Sequence, residues 1–481
     1  MKRVLLGFSA VVVALAVCGC FPEKRVAWSP DGRWATVKGA DGLYLCDPSG
    51  KLSPRLVEQI GAVAWLPDSR HLVLSHAENV AGWAALGTVM SSAQRAEIET
   101  RAPKLREQLL AYQGDWKDFK PESFKGLTGG EIMAVLVYVR DQLSQGLPEK
   151  LGERWKDLEE LSAAVQVLQL ANVSAAGEFA LDRVLAKSLD PFDTPHVAPN
   201  GKLVVYRGAA PGEDPARPLF VLALDGGTPR LVADRTAQFP DWSADSRCLV
   251  YASTKATLAD DSKDLRLGVI ARRKVCGDDG ALLAEFPDAE ELAGIVFQNE
   301  VRVRCLRYGR VLFATLELQL PSTTDDMPQR ASLFAVNPGV QPGVTRLTPR
   351  QTEEDLPDAL FLFAVSPDEK HVAVPGGNGR IAVLTLATGE AWQIVTEKEV
   401  DHLRTEPAWR SDDELTFAIV PGPEDAKGRA EIVLDKLDFA EKKQDRRVLS
   451  QGWPESVATD FLTQEQKSTG TQPSATQPAK P

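Results

Sequence analysis

A twelve-residue phrase returns along the chain, and its return limits the folds available. "VAWSPDGRWATV" at 26–37 is echoed by "VAWLPDSRHLVL" at 63–74. Related copies stand at 195–206 (PHVAPNGKLVVY), 240–251 (PDWSADSRCLVY), 363–374 (FAVSPDEKHVAV) and 407–418 (PAWRSDDELTFA). A degenerate copy fits 303–314 (VRCLRYGRVLFA). Each reads as a hairpin: Asp31-Gly32, Asp68-Ser69, Asn200-Gly201, Asp245-Ser246 and Asp368-Glu369 fill the turn, where Asn, Asp and Gly tolerate left-handed backbone. Trp28, Trp65, Trp242 and Trp409 precede the turn in one register, and an alternating apolar strand follows it.

Further short strands follow each phrase, such as "GLYLCD" and "RPLFVLALDGGTPRLVAD". Four short strands in roughly 40–45 residues make one blade of a β-propeller. The expected fold is therefore mainly β, a seven-bladed propeller with six as the fallback count. A constant place before the turn makes the tryptophans packing residues between blades, not a sugar or base platform.

"AWSPDGRW", "AWLPDSRH" and "AVSPDEKH" resemble the repeat of TolB-type and WD-like β-propellers, with its S-P-D-G-[RK] turn. The resemblance covers about 26–76 and 195–450. Asn200, Ala244 and the "RSDDE" turn depart from it, and 303–314 lacks the Asp. It implies the architecture and, through the TolB type, a periplasmic protein-binding role.

The amino terminus carries Lys2 and Arg3, an apolar run from Val4 to Val17, and small residues before Cys20. This is the pattern of a secretory signal peptide, and 14 apolar residues fall short of the ~20 a spanning helix needs. Val17-Cys18-Gly19-Cys20 resembles the bacterial lipobox, which implies a signal peptide over 1–19, lipid attachment at Cys20, and a membrane anchor. Phe21 resembles the following residue of signals that permit transport to the outer membrane. The expected location is the cell envelope, on the periplasmic side of the outer membrane.

The strand language spans 20–76 and returns over 192–452. Between them, 77–191 reads as an α-helical insertion: Ile98, Leu105, Leu109 and Tyr112, and again Leu158, Leu161, Val165 and Leu168, recur at helical spacing. Thr128 and Glu131 are set as a capping box, and Pro103, Pro121 and Pro148 punctuate or cap the helices. The insertion serves as a cap over the second blade, whose outer strands are hard to find, or as a docking lobe. The tail, 453–481, is poor in apolar residues and reads as disordered.

The net charge of -12 becomes -14 without Lys2 and Arg3, which argues against a nucleic-acid partner. Cys46, Cys248, Cys276 and Cys305 allow three full disulfide pairings or stand as buried thiols. His71, His76, His196, His371 and His402 lack metal-ligand spacing, and Asp260-Asp261, Asp278-Asp279, Asp325-Asp326 and Glu353-Glu354-Asp355 lack that of a Ca²⁺ loop. "PGGNGR" at 375–380 reads as a hairpin turn, and no G-x-S-x-G elbow occurs. No catalytic residue, cofactor or metal is assigned, and the ligand-binding residues are left unknown. The expected function is a non-catalytic cell-envelope scaffold that binds one or more envelope proteins. The alternative is a propeller enzyme or glycan-binding protein working through the central funnel, where titratable groups from several blades would converge.

Overall fold

In the computed structural model, residues 25–451 are described, apart from 40, 115, 212–215, 238, 258–265, 298–300, 318–329, 340–342, 349–361, 376–379, 396–401 and 422–430. Cys20, the tail and the acidic runs at 260–261, 325–326 and 353–355 lie outside the described residues.

The described strands form seven successive antiparallel runs, here called units. Their inner strands are Val26–Trp28, Ile60–Trp65, Asp193–Val197, Asp241–Trp242, Val303–Cys305, Ala364–Val365 and Ala408–Trp409. Each pairs with the strand that follows its turn, as in Trp28↔Ala35, Trp65↔Leu72, Trp242↔Leu249 and Trp409↔Leu415. The third and fourth units share one sheet, but only through Thr236↔Ser253.

Packing closes these runs into a ring. Leu43 and Leu45 of the first unit join Leu72 and Leu74 of the second in one apolar cluster. Val73 and Val204 lie in a cluster linking the second and third units, and Val205 and Trp242 in one linking the third and fourth. Another spans the fourth to the sixth, with Ile270, Phe313 and Val372, and Ala373 and Phe417 bridge the sixth and seventh. Val26 and Trp28 then pack with Ala418 and Ile432, so the seventh unit meets the first. Sheets whose both faces are covered by neighbours around a closed circle make a β-propeller.

The tryptophan register holds as expected. Trp65 donates its indole N–H to the Ala27 carbonyl (3.0 Å), Trp242 to that of His196 (3.0 Å) and Trp409 to that of Ala364 (2.9 Å). Each bond runs to the residue before the equivalent position of the preceding unit, so a buried polar atom is satisfied while the ring fills the gap. The turns are structural too. Ser29, Ser243 and Ser366 donate to Asp31, Asp245 and Asp368 at 2.6–2.7 Å, and each Asp accepts the N–H two residues on.

The helical insertion is shorter than expected. Its helices, Trp83–Leu86, Ser92–Ala111, Gly129–Gln142, Leu147–Leu151 and Glu153–Glu159, form a lobe whose apolar core continues onto Ala163, Val165 and Val167. The capping box stands: Thr128 accepts from Glu131 N–H (3.2 Å), whose carboxylate accepts from Thr128 N–H (3.0 Å). Pro103 lies inside the second helix rather than at an end.

Residues 163–188 are not helical. Ala163–Val173 and Phe179–Ser188 are the third and fourth strands of the second unit, in the order Ile60–Trp65, His71–Val80, Ala163–Val173, Phe179–Ser188. The ladder between His71–Val80 and Ala163–Val173 runs unbroken from His71↔Asn172 to Val80↔Ala163. Pairing with His71–Val80 overrides the helical spacing of Val165 and Leu168. The second blade thus has its outer strands, and the lobe covers Ala163, Val165 and Val167 of the third.

Candidate functional site

The residue preceding the tryptophan position is Ala27, Ala64, Ala364 and Ala408 in four units. In the third, fourth and fifth it is His196, Asp241 and Arg304. Three neighbouring inner strands thus place ionisable groups at one level, and the groups meet.

Asp241 is the hub and is buried. Its carboxylate accepts from the N–H of Trp242 (2.9 Å) and of Cys305 (2.7 Å), and from the Arg304 guanidinium (3.2 Å). His196 Nδ1 lies 3.0 Å from the Pro240 carbonyl and 3.3 Å from Asp241. Both neighbours are acceptors, so Nδ1 carries a proton. The Asp241 charge holds the Arg304 pKa above its usual value, against a burial effect that lowers it. Arg304 nevertheless shows 41% of its side chain to solvent.

Two residues before Arg304, a second ion pair spans several units. Arg302 of the fifth unit reaches past the sixth to pair with Glu406 of the seventh through both guanidinium ends, one at 3.1 Å. It also donates to the Phe363 carbonyl (3.0 Å) and lies 4.3 Å over the Phe239 ring of the fourth unit. One side chain therefore ties four consecutive units. Side-chain exposures of 13% for Arg302 and 2% for Glu406 make this a buried, fork-shaped pair.

The arrangement can hold and orient an anion more readily than it can cleave a bond. Asp241 is committed to four partners, the Trp242 and Cys305 N–H groups, Arg304 and His196. The nearest thiol is no nucleophile: burial, then the Asp241 charge, pushes Cys305 well above its ordinary value. All four described cysteines are free thiols. Burial pushes Cys276 up to about 11 and Cys46 up to about 12.

Other singled-out residues do not join this cluster. His71 sits 2.6 Å from Asp68 in its own turn, and His76 bonds Gln169 at 3.0 Å inside the second unit. His371 lies flat on Phe439 of the seventh unit, ring centroids 3.6 Å apart. The side chain of His402 and residues 376–379 lie outside the described residues. Asp278 pairs with Arg247 (2.9 Å), and Asp279 accepts from Ala281 N–H (3.0 Å). Among the described residues no three His, Cys, Asp or Glu side chains gather in a way that could hold a metal ion. An open cleft of about 310 Å³ between the third and fourth units is lined by Asp234, Tyr251, Lys255, Arg273 and Glu291. Lys255 and Glu291 pair across it at 2.6 Å.

Reading along the chain missed the trio, because 45 residues separate His196 from Asp241 and 63 separate Asp241 from Arg304. Stacking the seven phrases as columns exposes it: one column holds four alanines and three ionisable residues.

No protein-family model matches the chain, and no curated protein does. Among solved structures it is similar to a TolB protein from Agrobacterium tumefaciens, at 13% identity over 56% of this chain and 84% of that one, TM-score 0.35. It is similar to an oligogalacturonate lyase from Vibrio parahaemolyticus, 13% identical over 73% of each chain, TM-score 0.38. A Swd1 β-propeller domain from Myceliophthora thermophila is 10% identical over 83% of this chain and 94% of that one, TM-score 0.39. At such values these likenesses bear on no activity, and the chain's own pairing and packing make it a β-propeller.

Proposed function

We propose that this is a seven-bladed, lipid-anchored β-propeller of the cell envelope, acting as a non-catalytic scaffold that docks a partner protein through its helical lobe. The observation that carries this reading is the Val80↔Ala163 pair. The hairpin ladder closes there, and the lobe begins beyond it, packed on Ala163, Val165 and Val167 of the third strand. The four strands of the second unit pair with one another without the lobe, and the lobe offers surface well beyond the strand residues it covers.

The test joins Val80 to Ala163 through an Asn-Gly turn, which suits a two-residue hairpin. Full-length and lobe-deleted chains are purified from detergent-solubilised envelope, and circular dichroism checks the ring. A stoichiometric partner lost with the lobe supports the reading. A partner kept by both moves the docking site to the ring faces. No partner with either chain overturns the scaffold.

The His196–Asp241–Arg304 trio favours a second reading, a funnel that holds an acidic glycan. Thermal shift with uronate sugars checks it. A shift shown by the parent and abolished in Arg304→Met favours the funnel, and no shift in the parent removes it.

A further inference from the structure

We infer that the helical lobe lies on the membrane-facing side of the ring. The inference rests on the lipid-anchor reading of Cys20 and deepens the scaffold proposal.

The tether is short. The inner strand of the first unit begins at Val26, and the Arg25 carbonyl already accepts the Lys38 N–H at 2.8 Å. Five residues from Cys20 to Arg25 reach at most ~18 Å when fully extended. Four strands at ~4.8 Å spacing give a blade a comparable width. A lipid joined near the axis by such a tether keeps the face where the inner strands begin against the bilayer.

Strand direction puts the lobe on that same face. Val26–Trp28 runs away from the anchor toward the Asp31–Gly32 turn, as each inner strand runs toward its own turn. His71–Val80 returns from the Asp68–Ser69 turn, so Val80, where the lobe begins, is back on the anchor side. A contact far along the chain agrees. Asp190, just before the third inner strand starts at Asp193, accepts from Gly130 N–H (2.8 Å) and Thr128 Oγ1 (2.6 Å) at the start of the helix Gly129–Gln142. Two separate crossings fix the lobe beneath the ring.

The lobe's surface is not one that inserts into lipid. Residues 81–162 carry eleven Lys and Arg against thirteen Asp and Glu, so anionic headgroups do not attract it. The outward face of Ser92–Ala111 shows Ala96, Thr100, Lys104 and Glu107, without the apolar stripe of an interfacial helix. The opposite face of the ring carries Arg33, Arg247 and Lys370 beside its turns, each close to its own turn Asp at 3.1–3.6 Å.

The test uses the full-length lipidated chain in phosphatidylcholine–phosphatidylglycerol vesicles, labelled with a fluorophore at Thr100→Cys or at Lys370→Cys. Headgroup-nitroxide lipids report proximity, and the unsubstituted chain controls for its own thiols. The expected result is several-fold stronger quenching at position 100 than at 370. Equal quenching, or the reverse, overturns the orientation and leaves the scaffold standing. Mass spectrometry of the amino-terminal peptide separates the other failure: an unmodified Cys20 overturns the anchor and the orientation together.

Discussion

Trp28 donates its indole N–H to the Thr416 hydroxyl at 2.8 Å, across 388 residues of chain, and Thr416 passes the bond on to the Ala408 carbonyl at 2.8 Å. Trp65, Trp242 and Trp409 reach the equivalent carbonyl directly, so of the four tryptophan joints the closing one uses a relay. Thr416→Val keeps the shape and strands a buried N–H, which costs about 1–3 kcal/mol. Thr416→Ser keeps the hydroxyl and should cost much less. Urea denaturation of the two variants checks this, and equal losses would show that the hydroxyl is not what matters.

Arg302 and Glu406 make a second long-range joint, and its two partners should behave asymmetrically. Removing one charge leaves the other buried and unpaired, a loss of about 3–5 kcal/mol, whereas replacing both with apolar residues is often near neutral. Glu406→Leu alone should therefore destabilise strongly, and Arg302→Met with Glu406→Leu should recover most of the loss. A double variant as unstable as the single one would rule out the pairing as the source.

Much of the ring was legible because its turn chemistry is local: Ser, Asp and Gly act within a few residues, and the tryptophans mark the register. The last two strands of the second blade were not. Ala163–Val173 is apolar on both faces, because neighbours cover both, so it lacks the polar alternation that marks a half-exposed strand. Its Leu, Gln and Ala residues also favour helix. The axial trio was hidden differently, since its members meet only when the ring closes. Cys305 standing where four units have Trp was visible, but its N–H bond to Asp241 was not.

The turn serines show why a non-glycine residue can occupy left-handed backbone. Ser69 (φ 59°) accepts the Asp31 N–H at 3.0 Å, and Ser246 (φ 61°) accepts the Asn200 N–H at 2.9 Å. Each links its turn to that of the preceding unit. Ser69→Ala loses the bond and keeps the strain, whereas Ser69→Gly loses the bond and relieves about 1 kcal/mol of strain. The Ala variant should melt below the Gly variant. The reverse order would mean that the strain relieved is smaller than the extra chain entropy glycine loses on folding.

His371 gives the joint between the sixth and seventh units a pH dependence of definite sign. Its ring lies parallel to Phe439 within 4°, and burial lowers its pKa below 6.5. Asp368 and Asp412 oppose that shift, and Lys370 adds to it. A lowered value means that the folded ring resists a proton which the unfolded chain accepts at 6.5. The contribution to stability is therefore complete above pH 6.5 and is lost as the pH falls from there to the folded value. The turn carboxylates act in a lower window. Burial alone would raise Asp368, but bonds from Ser366 and Lys370 outweigh it and hold the group below 3.8. Its share is lost only under stronger acid. Denaturation of the parent and of His371→Phe between pH 7.5 and 5 separates the two: the parent should lose stability across that range faster than the variant. Parallel curves would place the histidine's titration outside the folding equilibrium.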